Sequence, residues 1–191
     1  MRHQGSGSAK SVMDLEDVVR NLADRAAIID LMNRYCLLTD RQDIDGLLTR
    51  VYAEGASDDH GAGPATGRKQ LEQFFTSTFA NVAASAHNLS NIMIELDGDH
   101  ASVRSSIVTW SWTRVSKHDG PLRPADYVLC SYYVDQLIRT DRGWRISSRV
   151  LETNGESVIG GGQLPPTQQG MQALAGRVHE RSVRNSASVI D

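Results

Sequence analysis

Residues 86–114 read AHNLSNIMIELDGDHASVRSSIVTWSWTR. Before residue 84 the apolar residues recur at helical spacing; from here the period is two, which predicts strands. Asp97-Gly98-Asp99 interrupts the run with a hairpin signal, because Gly relieves the backbone strain of a tight turn. Two strands follow, over Ala86 to Leu96 and over Ala101 to Arg114, the second carrying Val103, Ile107, Val108, Trp110 and Trp112. Downstream, Lys117 to Pro124 reads as a polar loop, Asp126 to Thr140 as a third long strand, Asp141-Arg142-Gly143 as a turn, and Trp144 to Glu152 as the last strand.

Upstream the pattern is helical. Leu15, Val18, Val19 and Leu22 form one amphipathic stretch with Asp14 placed to cap it. Asp24 is placed to cap a second, with Ala27, Ile28, Leu31, Met32, Tyr35 and Leu38 on its apolar face. Asp43 starts a shorter helix, Ser57 to His60 reads as a short strand before a Gly-rich loop, and Gly67 opens another helix through Phe79. Helices first and strands afterwards give an α+β class: a curved antiparallel sheet packed against three N-terminal helices, forming a cone whose mouth suits a small molecule. Residues 1–11 read as a disordered tail, 12–154 as the domain, and 155–191 as an extension with a hinge at Gly160-Gly161-Gly162 and a helix over Met171 to Val183.

The chain has 191 residues, 40% hydrophobic and 23% charged, the balance of one ordinary globular domain. A net charge of -3 lacks the basic footprint that nucleic acid requires. There is no apolar run long enough to span a membrane and no apolar leader at the N-terminus, so the expected location is the cytoplasm. Cys36 and Cys130 are too few for a disulfide framework and are expected to be buried and inert.

Six segments, taken in order and spacing, resemble the NTF2-like superfamily in its SnoaL-like, scytalone-dehydratase-like and bile-acid 7α-dehydratase-like branch. They are Arg34 to Asp40, Asp43 to Leu47, Gly67 to Leu71, Ala86 to Asn91, Leu96 to Ala101, and Asp141 to Ile146. The resemblance runs from about Leu15 to Asn154. It implies an NTF2-like cone and a cofactor-independent lyase (dehydratase), isomerase or cyclase acting on a hydrophobic polycyclic, steroid-like or polyketide-like carbonyl substrate. It implies an Asp40–His87 pair, with Tyr35 five residues before the acid and Arg149 on the last strand completing the catalytic set. Asp58, His60, Asn91, Trp110 and Trp112 complete the substrate-binding candidates. The same superfold also hosts ligand-binding modules, assembly modules and structural subunits like the small chain of ring-hydroxylating dioxygenases, so a non-catalytic role stays open.

The residue types suit such chemistry. Elimination beside a carbonyl needs a base near the acidic carbon and a donor for the developing or leaving oxygen. An imidazole backed by a carboxylate is such a base. The third-strand position where those relatives place a His or Asp reads Val108-Thr109-Trp110-Ser111-Trp112 here and holds neither. Each candidate also has a plain structural reading: Asp40 as a turn carboxylate, Tyr35 as a core tyrosine, Trp110 and Trp112 as sheet packing. Asp40, Asp58, Asp59, His60 and His87 lack the spacing of a metal motif, so no metal and no cofactor is assigned. The expected partners are a hydrophobic small molecule and, because a sheet face needs cover, further copies of the chain in a homodimer or homotrimer.

Overall fold

The structure is a computed structural model and describes residues 14–114 and 124–158. Helix α1 (Leu15–Asp40) is followed by α2 (Ile44–Arg50), β1 (Tyr52–Asp59), β2 (Ala65–Thr66) and α3 (Gly67–Asn81). Four long strands complete it: β3 (Val82–Asp97), β4 (His100–Thr113), β5 (Tyr127–Thr140) and β6 (Gly143–Val158). The expected tail over residues 1–11, the hinge and the helix over Met171 to Val183 lie outside the described residues, as does most of the loop at 117–124. Strand β6 runs past the boundary expected at 154.

The six strands form one sheet in the order β2-β1-β6-β5-β4-β3. All pairings are antiparallel except β1 with β6, which is parallel. Register shifts interrupt β3 between Ser90 and Met93 and the β5–β6 ladder at two places. Such bulges bend a strand and increase its twist. The helices pack on the inner face, where Ile28, Leu31, Met32, Leu47, Leu71, Phe75, Ile107, Leu137 and Ile146 bury almost completely.

Strand β1 starts before the expected Ser57 and ends before His60, and further expectations change. The two stretches separated at Asp24 are a single 26-residue helix. Asp24 does not cap it. Its carboxylate is buried in the middle of α1, where Arg139 donates to both oxygens at 2.7 and 2.6 Å and the Trp144 indole N–H donates at 3.2 Å. The same guanidinium lies 4.5 Å over the Trp144 ring and reaches Asp99 in the β3–β4 hairpin at 2.9 Å. One node thus pins α1 to the β3–β4 hairpin and to the adjoining ends of β5 and β6. Asp43 does cap α2, its side chain accepting from the Gly46 N–H at 2.8 Å. The other correction is Cys130, which is exposed because its alternation points it to the outer face, whereas Cys36 is buried on α1.

Hydrogen bonds from Arg139 hold the Asp24 carboxyl below its ordinary range, against the opposing cost of burial. A lowered folded-state value stabilises the fold above the unfolded carboxyl's range and loses that contribution as pH falls through the folded value. Asp24→Asn is therefore expected to cost about 1–3 kcal/mol at neutral pH, as for other hydrogen bonds to charged groups. In urea melts the gap between Asp24→Asn and wild type narrows as the pH is taken down through the acid range.

Candidate functional site

The C-terminal end of α1 sets the first part of the site. Asp40 is the last residue of the helix, and the chain turns at Gln42, which takes a left-handed φ of 56°. The Gln42 side chain donates to the Val82 carbonyl at 2.9 Å and so fixes the turn against the start of β3. A carboxylate at a helix C-terminus meets the negative end of the macrodipole, and no basic residue occupies the last turn of α1. Strand β3 supplies the compensation. Asp40 lies 2.6 Å from His87 Nδ1 and accepts from the Ser85 hydroxyl at 2.9 Å and the His87 backbone N–H at 3.1 Å. Burial raises the Asp40 carboxyl, but these donors and the imidazole charge outweigh it and hold the group below its ordinary value. With Nδ1 engaged, His87 Nε2 has no hydrogen-bond partner among the described residues.

His87 and Ser85 line a cavity of about 60 Å3 on the inner face of the sheet. Phe74, Phe75 and Phe79 of α3 form its apolar wall, and Tyr35 and Tyr133 close another side. The hydroxyls of Thr39 and Thr78 line it as well, buried and without a partner among the described residues. Buried hydroxyls are normally satisfied, so these two are ready contacts for a polar atom of a ligand. Burial pushes the Tyr35 phenol up to about 12, so at neutral pH it can donate a hydrogen bond but carries no charge.

His60, just past the end of β1, also faces this cavity. Its Nδ1 lies 2.8 Å from the buried Asp58 carboxylate, an ion-pair approach without the alignment of a hydrogen bond. Asp58 itself accepts from the Tyr52 hydroxyl. Burial raises the Asp58 carboxyl, and the charges of His60 and Arg149 together with the donors override that and lower it.

Arg149 lies on β6, the last strand. It is fully buried and is not part of the cavity wall. It pairs with Asp135 through two bonds of 2.6 and 2.9 Å, and its guanidinium lies 3.9 Å from the centres of both the Tyr35 and the Tyr133 ring. It therefore supports the two rings from behind, and its Nη1 is buried without a hydrogen-bond partner among the described residues. Asp135 was not singled out in the sequence; its signal is a carboxylate at the inward parity of Tyr133, Asp135 and Leu137. Tyr52, Tyr133 and Ser85 were also missed. Only Ser85 is without a sequence signal, since a serine two residues before a strand histidine is unremarkable in itself.

Asn91, Trp110 and Trp112 stand apart from the cavity wall. On β4 the buried parity is Ser105, Ile107, Thr109, Ser111 and Thr113, so Trp110 and Trp112 take the opposite face. Trp110 is 40% exposed there. Asn91 takes a left-handed φ of 49° at the β3 register shift and points to Ser106 at 3.4 Å. Among the described residues no three His, Cys, Asp or Glu side chains gather as metal ligands do. No described helix is long and apolar enough to cross a membrane.

Comparison with known proteins agrees with this architecture. The family model described as the SnoaL-like domain matches residues 20–150. An uncharacterised protein of Mycobacterium tuberculosis, Rv2910c, is 31% identical over 135 residues, covering 69% of this chain and 86% of its own. A candidate aromatic ring hydroxylase of Novosphingobium aromaticivorans is 30% identical with a TM-score of 0.62, over 72% of this chain and 94% of the other. A candidate scytalone dehydratase of the same species is 22% identical with a TM-score of 0.65, over 74% and 91%. LinA shares 19% identity and a TM-score of 0.65, over 78% and 98%; at these last two identities the likeness is one of fold.

Burial pushes the Asp135 carboxyl up and the Arg149 guanidinium draws it back, so the ionised pair depends on both partners. Removing one charge of such a pair strands the other. Asp135→Asn is expected to cost about 3–5 kcal/mol in urea unfolding. The double variant Asp135→Leu with Arg149→Met recovers much of that loss, because it strands no charge.

Proposed function

The chain belongs to the SnoaL-like domain family, and from that premise we propose that it is a cofactor-independent lyase or isomerase whose base is the Asp40–His87 pair. The observation that carries this reading is the 2.6 Å contact between Asp40 and His87 Nδ1, which leaves Nε2 available at the cavity. In this reading Nε2 takes a proton from the carbon next to a substrate carbonyl. Asp40 orients the ring and stabilises the imidazolium that forms. Tyr35 donates a hydrogen bond to the carbonyl oxygen, where enolate charge develops. Arg149 acts through Tyr35 and Tyr133 and is a positioning residue.

The wall of phenylalanines supports an apolar substrate, and the unpaired Thr39 and Thr78 hydroxyls support one carrying oxygen. A volume of about 60 Å3 admits the reacting end of such a molecule, not a whole polycyclic frame, since pockets that enclose drug-sized ligands run to about 300–1,000 Å3. The dehydratase chemistry in the name of one structural neighbour is compatible with this arrangement.

On a panel of cyclic hydroxy-ketones, His87→Gln and Asp40→Asn are expected to lower turnover, the first by about 10²–10⁴-fold. Carbon-detected NMR supplies a check that needs no substrate: the Asp40 carboxyl moves up toward its ordinary range in His87→Gln. Turnover untouched by His87→Gln sinks the reading and leaves a ligand-binding or assembly module.

We include a homo-oligomer in the proposal. The outer face of the sheet exposes Met93, Trp110 and Val150 at 66, 40 and 42%, apolar side chains that burial against another copy would cover. Light scattering at micromolar concentration is expected to give a dimer or trimer, and Trp110→Lys to shift it toward monomer. A monomeric wild type contradicts this part.

A further inference from the structure

The cavity is lined by two imidazoles, and each has its own carboxylate: His87 with Asp40 at 2.6 Å, His60 with Asp58 at 2.8 Å. They reach it from distant parts of the sheet. His87 lies on the edge strand β3, and His60 follows β1, with β6, β5 and β4 between them. The His60 ring is fixed on three sides. It stacks on Phe74 with centroids 5.0 Å apart, meets the Tyr133 ring edge-on at 6.3 Å, and turns Nδ1 to Asp58. Nε2 is left without a hydrogen-bond partner among the described residues. Strand β4, by contrast, offers the cavity only the neutral hydroxyls of Thr109 and Ser111.

Charge distinguishes the two imidazoles. Behind His60 lie the carboxylates of Asp58 and Asp135, both fully buried, against the single guanidinium of Arg149. These groups are near enough to act on one another's charge. The Tyr35, Tyr52 and Tyr133 phenols around them are kept neutral by burial, so carboxyl groups outnumber cations behind His60. Asp40, the carboxylate behind His87, is by contrast 27% exposed at its side chain and reaches solvent.

We infer that His60, backed by Asp58, is the general acid that protonates the leaving oxygen of a β-hydroxy carbonyl substrate. The inference rests on His87 being the base. The proton next to the carbonyl goes to His87 Nε2, and its bonding pair becomes the new carbon–carbon double bond. The bond from the β-carbon to oxygen breaks with both electrons on oxygen. That oxygen takes the proton from His60 Nε2 and departs as water. His87 then releases a proton to solvent and His60 regains one, so the net change is substrate to enone plus water. A hydroxyl leaves poorly without a proton, whereas acetate or chloride leaves as the anion. A dedicated acid therefore points to a hydroxyl as the leaving group.

The test uses 3-hydroxycyclohexanone and 3-acetoxycyclohexanone as probes, with enone formation followed by absorbance. His60→Gln is expected to lower turnover of the hydroxy probe at least about a hundredfold more than that of the acetoxy probe. His87→Gln lowers both alike. Asp58→Asn, checked for folding by circular dichroism, moves the hydroxy-to-acetoxy ratio in the same direction as His60→Gln. An unchanged ratio in both variants overturns the inference. Wild-type protein that eliminates acetate but never water also overturns it, while leaving His87 as the base. No His87-dependent reaction on either probe overturns both readings.

Discussion

A guanidinium with no exposure at all is the constraint around which the rest of this structure is arranged. Arg149 sits on β6, its countercharge Asp135 on β5, and the rings that cover it come from α1 and β5. The Tyr35 contact requires the long helix to lie across the sheet at one height. Move α1 along its axis and Tyr35 leaves the guanidinium, which then keeps only the Tyr133 ring over it. The same placement brings the helix end, with Asp40, beside β3. The buried charge thus sets the registration of helix on sheet, and the Asp40–His87 contact follows from it.

A second consequence is the division of the interior into two electrostatic zones. The Asp24–Arg139–Trp144 node ties helix, hairpin and strand ends with partly exposed charges that share solvent. Around Arg149 charge balance is strict, because there is no solvent to share. The cavity lies next to the strict zone. A group that changes its proton there acts on its neighbours with little solvent screening, and a group near the Asp24–Arg139 node acts through more solvent. Chemistry that moves protons belongs where such a change has the largest effect on a neighbour.

Local features were legible in the sequence and long-range ones were not. The Asp97-Gly98-Asp99 turn, the Asp43 cap and the helix opening at Gly67 depend on residues a few positions apart, and the structure has them there. Asp24 was misread because a capping residue and a buried ion-pair partner look alike locally; Arg139, 115 residues away, decides between them. Trp110 and Trp112 were misplaced for a related reason. Alternation gives two faces but does not say which is the inner one, and on β4 the small hydroxylic residues face inward while the large aromatic ones face out. The Asp40–His87 pairing was legible only through resemblance, since no local spacing joins a helix end to a strand 47 residues on.

The parallel pairing of β1 with β6 bears on how the chain reaches this state. Strand β1 has a two-residue neighbour, β2, on one side and the last strand of the sheet on the other. Hairpins β3–β4 and β5–β6 close over short distances in sequence, whereas β1 pairs with a strand from the far end of the described chain. Closing that loop requires ordering most of the domain before the pairing returns anything. His60 and Asp58 lie at the end of β1. The half of the cavity that they form thus depends on the pairing of greatest sequence separation in the sheet, whereas the half that holds His87 rests on a hairpin.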